Sequence, residues 1–265
     1  MDTLNDADVA FRSVVCGTDL TSASLGAARY AALFARHYDA DLILVHAFTL
    51  VQPALEVEAL RHQASAQRME LESAVSALLD KLGPHTPHSA TVVREGYPVP
   101  VVQALSGERH PSLVVLGTHG GGAIQRHVVG SVAEELLRTL PGPVLTVGPH
   151  VPAPPASNLT IGRILHATDL SQASARAGAY AEALARAFGS RLEALHVVPS
   201  GAHDDATDVR DQILEHARMQ GSDLIILGAH HHSWLARHLR TGPAFQVVLR
   251  AACPVLTVSG SDEPS

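Results

Sequence analysis

The sequence predicts an α/β protein of two tandem Rossmann-like domains with open, parallel five-stranded sheets, the second domain being shortened. Two observations lead to this fold class: short aliphatic runs alternate with longer amphipathic segments, and long stretches of the chain recur in order. The composition agrees. Of 265 residues, 46% are hydrophobic but only 4% aromatic. Ala, Val, Leu and Ile must therefore form the core, as is typical of parallel sheets covered by helices.

The first copy is expected to alternate strands and helices, beginning and ending with a strand. Strands are predicted at 11–16, 42–46, 91–94, 113–116 and 144–147, and helices at 22–38, 56–82, 98–107 and 131–140. The helix at 56–82 carries apolar residues near helical spacing and meets a stop signal at Gly83-Pro84. This order is the one expected of an open parallel sheet with helical crossovers.

A constant offset relates the two copies. Asp19, Tyr30 and His46 recur 150 residues later as Asp169, Tyr180 and His196. The stretches LVVLGTHG at 113–120 and GPVLTV at 142–147 recur as LIILGAHH and CPVLTV at an offset of 111. The offset drops from 150 to 111, so the second copy lacks 39 residues, which we assign to the long second helix and the third strand.

The repeat also predicts the domain boundaries. Residues 1–148 form the first domain, the Pro-rich stretch 149–159 (PHVPAPPASNL) a linker, and residues 160–265 the shortened second domain.

Composition argues against several functional classes. The net charge is −7 and the arginines are scattered, which disfavours nucleic-acid binding. The acidic N-terminus lacks an apolar signal core, and no stretch approaches the ~20 apolar residues of a membrane helix. We therefore expect a cytoplasmic protein without a membrane partner. Cys16 and Cys253 form no disulfide framework and are interpreted as buried, reduced thiols.

A glycine-containing pattern predicts a phosphate site in the first copy. Gly117-Thr118-His119-Gly120 follows the fourth strand, and after nine residues Gly130-Ser131 opens a helix. Glycines let backbone amides approach an anion, and a helix start supplies free N–H groups and a favourable dipole. Asp19 follows the first strand. If the first and fourth strands are neighbours, both loops meet at the topological switch point, where such sheets bind ligands.

Together with Gly142-Pro143-Val144, this pattern resembles the ATP-binding signature of the universal stress protein family, whose fold is the adenine nucleotide alpha-hydrolase type of Rossmann-like sheet. The resemblance covers both copies, and Thr18-Asp19, Leu44-Val45-His46 and Gly96-x-Pro98 fall where the family has them. It implies an ATP site, with or without Mg²⁺. Thr18 and Asp19 would border the ribose, and the backbone of Val45 the adenine. The turn beneath the nucleotide would be lined by Leu116 and Gly117, and the phosphates held by Gly120, Gly130, Ser131 and Val132.

The second copy departs from this pattern. His231 replaces the second glycine, and Thr241-Gly242-Pro243 replaces the Gly-Ser helix start. A Cβ at residue 231 would crowd the phosphate, and Pro243 has no amide hydrogen to donate. We expect weak or no ATP binding there, and a structural role in an internal pseudo-dimer.

A metal site is a competing interpretation of this half. His230-His231-His232, His203-Asp204-Asp205 and His238 carry suitable donors. Successive loop residues point in different directions, however, and 17 histidines make chance clusters common. We therefore predict a solvated loop, in which Trp234 packs as an ordinary core or surface residue.

The resemblance implies an ATP-binding regulator of stress responses that acts through unidentified protein partners. One alternative is a slow ATPase or autophosphorylating enzyme, for which Asp19, His119 and His127 are the nearest candidate groups. A second alternative is a nucleotide-free protein-interaction module. The family often pairs two chains through their fifth strands, so a homodimer is also left open.

Overall fold

The computed structural model describes residues 10–49, 57–83, 88–118, 129–152, 154, 160–198, 205–229 and 242–259. Its strands are β1 (Ser13–Gly17), β2 (Asp41–Phe48), β3 (Ser89–Glu95), β4 (Ser112–Gly117), β5 (Gly142–Val147), β6 (Arg163–Thr168), β7 (Arg191–His196), β8 (Leu224–Ala229) and β9 (Val255–Ser259). Its helices are α1 (Ser22–Tyr38), α2 (Val57–Asp80), α3 (Pro98–Gly107), α4 (Ser131–Thr139), α5 (Gln172–Phe188), α6 (Asp205–Gln220) and α7 (Pro243–Arg250). Every predicted element of the first copy is present, with ends shifted by at most two residues.

The strands form one continuous nine-stranded sheet in the order β3-β2-β1-β4-β5-β9-β8-β6-β7. All neighbours are parallel except β5 and β9, which pair antiparallel. The expectation of five-stranded sheets is therefore corrected. The first half (β1–β5, α1–α4) contributes five strands and the second half (β6–β9, α5–α7) four. The two halves merge because β5 and β9 would otherwise each be an edge strand with unpaired backbone groups, and pairing β5 with β9 satisfies the hydrogen bonds of both.

The missing 39 residues correspond to α2 and β3. In the described part of the second half, the only helix between β7 and β8 is α6, and it packs against α7 as α3 packs against α4. At the offset of 111, Ile213 of α6 stands where α3 has Val102. Both side chains are buried in the same layer.

Helices cover both faces of the sheet. On the first face, α1, α2 and α5 pack over a core that includes Val14, Leu44 and Leu113. On the second face, α3, α4, α6 and α7 pack over Val15, Ile43 and Val114. Alternate strand residues thus enter opposite cores, as parallel strands buried on both faces require. Among the described helices, none is both long and apolar enough to cross a membrane.

A pseudo-twofold axis relates the halves. Leu145 and Leu256 are equivalent in the repeat, and they face each other across the antiparallel pair β5·β9. Nearby, the equivalent residues Tyr38 and Phe188 meet edge to face, with ring centroids 6.2 Å apart. His37 stacks on Phe188 at 3.8 Å. Much of the small aromatic content of the chain therefore lies where α1 meets α5.

Candidate functional site

The switch point of the first half lies between β1 and β4. These strands are parallel neighbours, with Gly17 opposite Leu116, and the strand order runs outward from them in both directions. Thr18 and Gly117 therefore leave adjacent strand ends at the same edge of the sheet. The condition under which the sequence brings the loops after the first and fourth strands together is therefore met.

Hydrogen bonds fix the turn after β1. The Thr18 amide donates to the Val45 carbonyl at 2.9 Å. The Thr18 hydroxyl lies 2.8 Å from that of Ser24, and it also accepts from the Leu20 amide at 3.0 Å. His46 Nδ1 lies 2.8 Å from the Thr18 carbonyl oxygen. Because a carbonyl only accepts, His46 Nδ1 carries the hydrogen.

Asp19 is exposed at this turn. Its Oδ1 accepts hydrogen bonds from the Thr21 amide at 3.1 Å and the Thr21 hydroxyl at 2.6 Å. Thr21 is the N-cap residue of α1, and its hydroxyl is used by Asp19 instead of capping the helix. The carboxylate is thus held at the sheet edge beside Thr18.

A second set of hydrogen bonds joins the end of β4 to the start of α4. The Thr118 amide donates to the Val147 carbonyl at 3.1 Å, and the Gly130 amide donates to the Thr118 carbonyl at 2.7 Å. The two ends of the segment between Thr118 and Gly130 are therefore held together, and the start of α4 lies at the end of β4. Gly120, His119 and His127 lie outside the described residues.

The first turn of α4 contains backbone amides that have no hydrogen-bond acceptor within the helix. Gly130 is the N-cap and has no side chain to cap the helix. The amides of Ser131, Val132 and Ala133 lie in the first turn, where no intrahelical acceptor exists. Ser131 is exposed and Val132 half-buried. The Gly130 amide itself is used by Thr118, so the donors for an anion are the next three amides and the Ser131 hydroxyl.

Val45 and Leu116 form the floor of this edge, since both side chains are buried in the core of the second face. Ala47 is the next residue of β2 on that face and is only partly buried. Ala47 was not among the residues placed at this site from the sequence, and the hydrogen bonds made by His46 and by the Thr118 carbonyl were not foreseen. The strand period of two could have indicated Ala47, whereas the contacts of Thr118 and His46 depend on tertiary structure.

Both thiols are buried. Desolvation raises the pKa of Cys16, on β1, to about 12. Burial raises the pKa of Cys253 to about 12 as well, with Asp223 contributing. Both are free cysteines, as the sequence indicated, and they stay protonated at neutral pH.

In the second half, the carboxylate of Asp169, equivalent to Asp19, has different hydrogen-bond partners. Asp169 Oδ1 accepts from the Ser174 hydroxyl at 2.5 Å and the Ser171 amide at 3.0 Å. Burial opposes its ionisation, but hydrogen bonds from Ser171 and Ser174 outweigh that effect and lower the pKa of Asp169 to about 2. The corresponding hydroxyl in the first half, that of Ser24, instead contacts Thr18. Asp169 is therefore bound into the start of α5.

The histidines of the competing metal-site interpretation all lie outside the described residues. These are His203, His230, His231, His232 and His238, and Trp234 likewise lies outside the described ranges. Within the described ranges, no three His, Cys, Asp or Glu side chains are grouped as a metal ion requires.

Comparison with known proteins supports the sequence pattern. The model of the universal stress protein family matches residues 10–148, 160–209 and 202–259. The chain is 33% identical over 190 residues to a universal stress protein of Mycolicibacterium smegmatis, an alignment that spans 69% of this chain but only 63% of that relative. It is 24% identical over 150 residues to one of Methanocaldococcus jannaschii, covering 54% of this chain and 86% of the relative. Its fold resembles a universal stress protein from Archaeoglobus fulgidus, with a TM-score of 0.71 at 17% identity over 96% of this chain and 99% of that one.

Proposed function

Because this chain belongs to the universal stress protein family, we propose that its first half binds ATP and that it acts as a nucleotide-dependent regulator of stress responses. The second half has a mainly structural role. The boundaries at 1–148, 149–159 and 160–265 are part of the same proposal.

The observation that carries the proposal is the hydrogen bond from Gly130 to the Thr118 carbonyl. It holds the start of α4 at the switch point, beside the turn that contains Thr18 and Asp19. Three amides that have no acceptor within the helix, together with one hydroxyl, then lie where the helix dipole favours negative charge. A phosphate chain matches these donors.

In this proposal Ser131 and Val132 donate to phosphate, and Gly130 holds the start of α4 against Thr118. Gly120, which lies outside the described residues, is the remaining phosphate residue of the family pattern. The ribose lies against Thr18 and Asp19 and the base against the backbone of Val45, while Leu116 and Gly117 line the turn beneath the nucleotide. When Mg²⁺ accompanies ATP it neutralises phosphate charge, and Asp19 is the carboxylate of this set that could face it.

Two features disfavour nucleotide in the second half. Pro243 removes an amide from the first turn of α7. Asp169 accepts a hydrogen bond from the Ser174 hydroxyl, whereas the equivalent Ser24 hydroxyl contacts Thr18 and not Asp19.

A pair of valine substitutions tests the proposal. A Cβ on Gly130 would lie 3.5 Å from the Thr118 carbonyl, an ordinary contact, and one on Gly242 would meet no described residue within 4 Å. Both backbones should accept a side chain. Gly130→Val places a branched group beside the phosphate donors and is expected to weaken ATP binding at least about tenfold. Gly242→Val, at the equivalent helix start, should leave binding unchanged.

Calorimetric titration with ATP and Mg²⁺ measures both variants, and thermal unfolding confirms that each is folded. Equal binding by Gly130→Val and wild type would refute the site. Chromatography of the titrated sample then separates a regulator from an enzyme, because a regulator returns ATP unchanged whereas an ATPase accumulates ADP.

A further inference from the structure

An exposed aromatic side chain stands at the sheet edge that carries the proposed site. Tyr97 follows β3, is the N-cap residue of α3 and is 74% exposed. Its backbone is held on both sides. The Gly96 amide donates to the Phe48 carbonyl at 2.9 Å, and the Tyr97 carbonyl accepts from the Val101 amide at 3.3 Å. The ring is thus presented to solvent from a fixed backbone.

The topology places Tyr97 on the same side of the sheet as the phosphate donors. β3, β2, β1 and β4 are parallel, so their carboxyl ends share one edge. Neighbouring strands lie ~4.8 Å apart, and Val92 of β3 is level with Gly17, so β3 continues for three more residues to Glu95. The end of β3 therefore lies about 14 Å from the end of β1. Helices α3 and α4 pack together on the second face, where Gln103 Nε2 donates to the Thr139 hydroxyl at 2.9 Å.

Both helices therefore begin at this edge, with the ends of β1 and β2 between them. A nucleotide with its phosphates at the start of α4 and its ribose beside Thr18 extends away from α4. Its base then lies over the end of β2, towards the start of α3 and Tyr97.

The internal repeat provides a comparison within the chain. At the offset of 111, Tyr97 corresponds to Asp208, and the buried Val99 to Arg210. Arg210 is only 8% exposed and pairs with Asp211 at 2.7 Å. The half with the intact phosphate pattern thus has an aromatic and an apolar residue at the start of this helix. The half with the degenerate pattern has Asp208 in place of Tyr97, a side chain with no aromatic face on which a base could stack.

We infer that Tyr97 stacks on the base of the bound nucleotide and so favours nucleotides over inorganic polyphosphate. This inference rests on the proposed function. Stacking tolerates any base because every base has a π face, so Tyr97 adds affinity for a nucleobase without selecting adenine.

The test compares ATP with inorganic triphosphate, which has no base. Titrations with Mg²⁺ and each ligand would be made on wild type, Tyr97→Ala, Tyr97→Phe and, as a control, Met219→Ala, which removes an exposed apolar side chain from the other half. Tyr97→Ala should weaken ATP binding at least about fivefold and leave triphosphate binding unchanged. Tyr97→Phe should restore ATP affinity to within about twofold, and Met219→Ala should match wild type.

The outcomes separate the two proposals. If Tyr97→Ala binds ATP as tightly as wild type, or weakens both ligands equally, Tyr97 does not contact the base, although the site stands. If wild type binds neither ligand, the proposed function fails and this inference fails with it.

Discussion

Thr146 and Thr257 occupy equivalent positions on the two central strands but differ in their hydrogen bonds. The Thr146 hydroxyl donates to the Val255 carbonyl at 3.1 Å across the β5·β9 pair. The buried Thr257 hydroxyl has no hydrogen-bond partner among the described residues. The two halves are therefore joined by a sheet that is symmetric in register but not in its polar contacts.

This asymmetry predicts opposite effects for one substitution. Thr257→Val should raise the free energy of unfolding by about 1 kcal/mol, because it removes an unsatisfied buried hydroxyl. Thr146→Val should lower it by about 1 kcal/mol, because it removes a made bond. Urea denaturation of both variants measures the difference. Equal changes in the two variants would show that the hydroxyls are equivalent in solution.

Gly228 allows α5 to approach the sheet closely. An added Cβ would lie 2.5–2.6 Å from the backbone of Ala173 and Ser174, which cannot rotate away. Gly228→Ala should therefore lower the free energy of unfolding by about 2–3 kcal/mol. Gly107→Ala is the control, since a Cβ there meets nothing within 4 Å at the exposed end of α3. It should be neutral or stabilise by up to about 1 kcal/mol. Denaturant midpoints that fall equally in both variants would contradict this packing.

His166 and Gly178 are a size-matched pair that replaces Cys16 and Ala28 of the first half. His166 Nε2 donates to the Ser174 carbonyl at 3.0 Å, and a Cβ on Gly178 would lie 3.0 Å from His166 Cε1. His166→Cys and Gly178→Ala should each destabilise the protein. The double variant restores the pair found in the first half. Its loss of unfolding free energy should be smaller than the summed losses of the two single variants by at least about 1 kcal/mol. Additive single effects in a double-mutant cycle would contradict the match.

The same histidine predicts a pH dependence. Burial lowers the pKa of His166 below its ordinary value of 6.5, against smaller raising effects of Ser174 and Glu182. The unfolded chain therefore binds a proton at His166 more readily than the folded chain, and stability falls as the pH falls below about 6.5. Unfolding free energies would be measured from about pH 8 down to about pH 5. As the pH is lowered, the unfolding free energy should fall more steeply for wild type than for His166→Cys/Gly178→Ala. Parallel curves would mean that His166 does not titrate on unfolding.

Most elements of the fold could be predicted from the sequence because their aliphatic runs are continuous and because β1, α1, β2, β4 and β5 recur in the second copy. The sequence placed Asp19 and Gly117 at the switch point only on the condition that β1 and β4 are neighbours, which the sheet order satisfies. The pairing of β5 with β9 could not be predicted, since Val144 and Val255 lie in runs that resemble any other buried strand, and the choice of partner depends on tertiary structure.

The site was predictable only as a set of residue types. The family pattern assigns phosphate contact to Gly130, but its amide is already bonded to Thr118. That detail depends on how the chain returns to the end of β4, which residue types do not encode. The site assignments themselves remain predictions, and Gly120 lies outside the described residues.

The number of nucleotides bound per chain tests the central claim most directly. Protein purified without added nucleotide would be denatured and its released nucleotide identified and counted by chromatography, and protein found empty would be titrated with ATP and Mg²⁺. We predict about one adenine nucleotide per chain, held by the first half. Two per chain would show that the second half binds despite Pro243 and His231. No binding under either condition would contradict the account and favour a nucleotide-free interaction module.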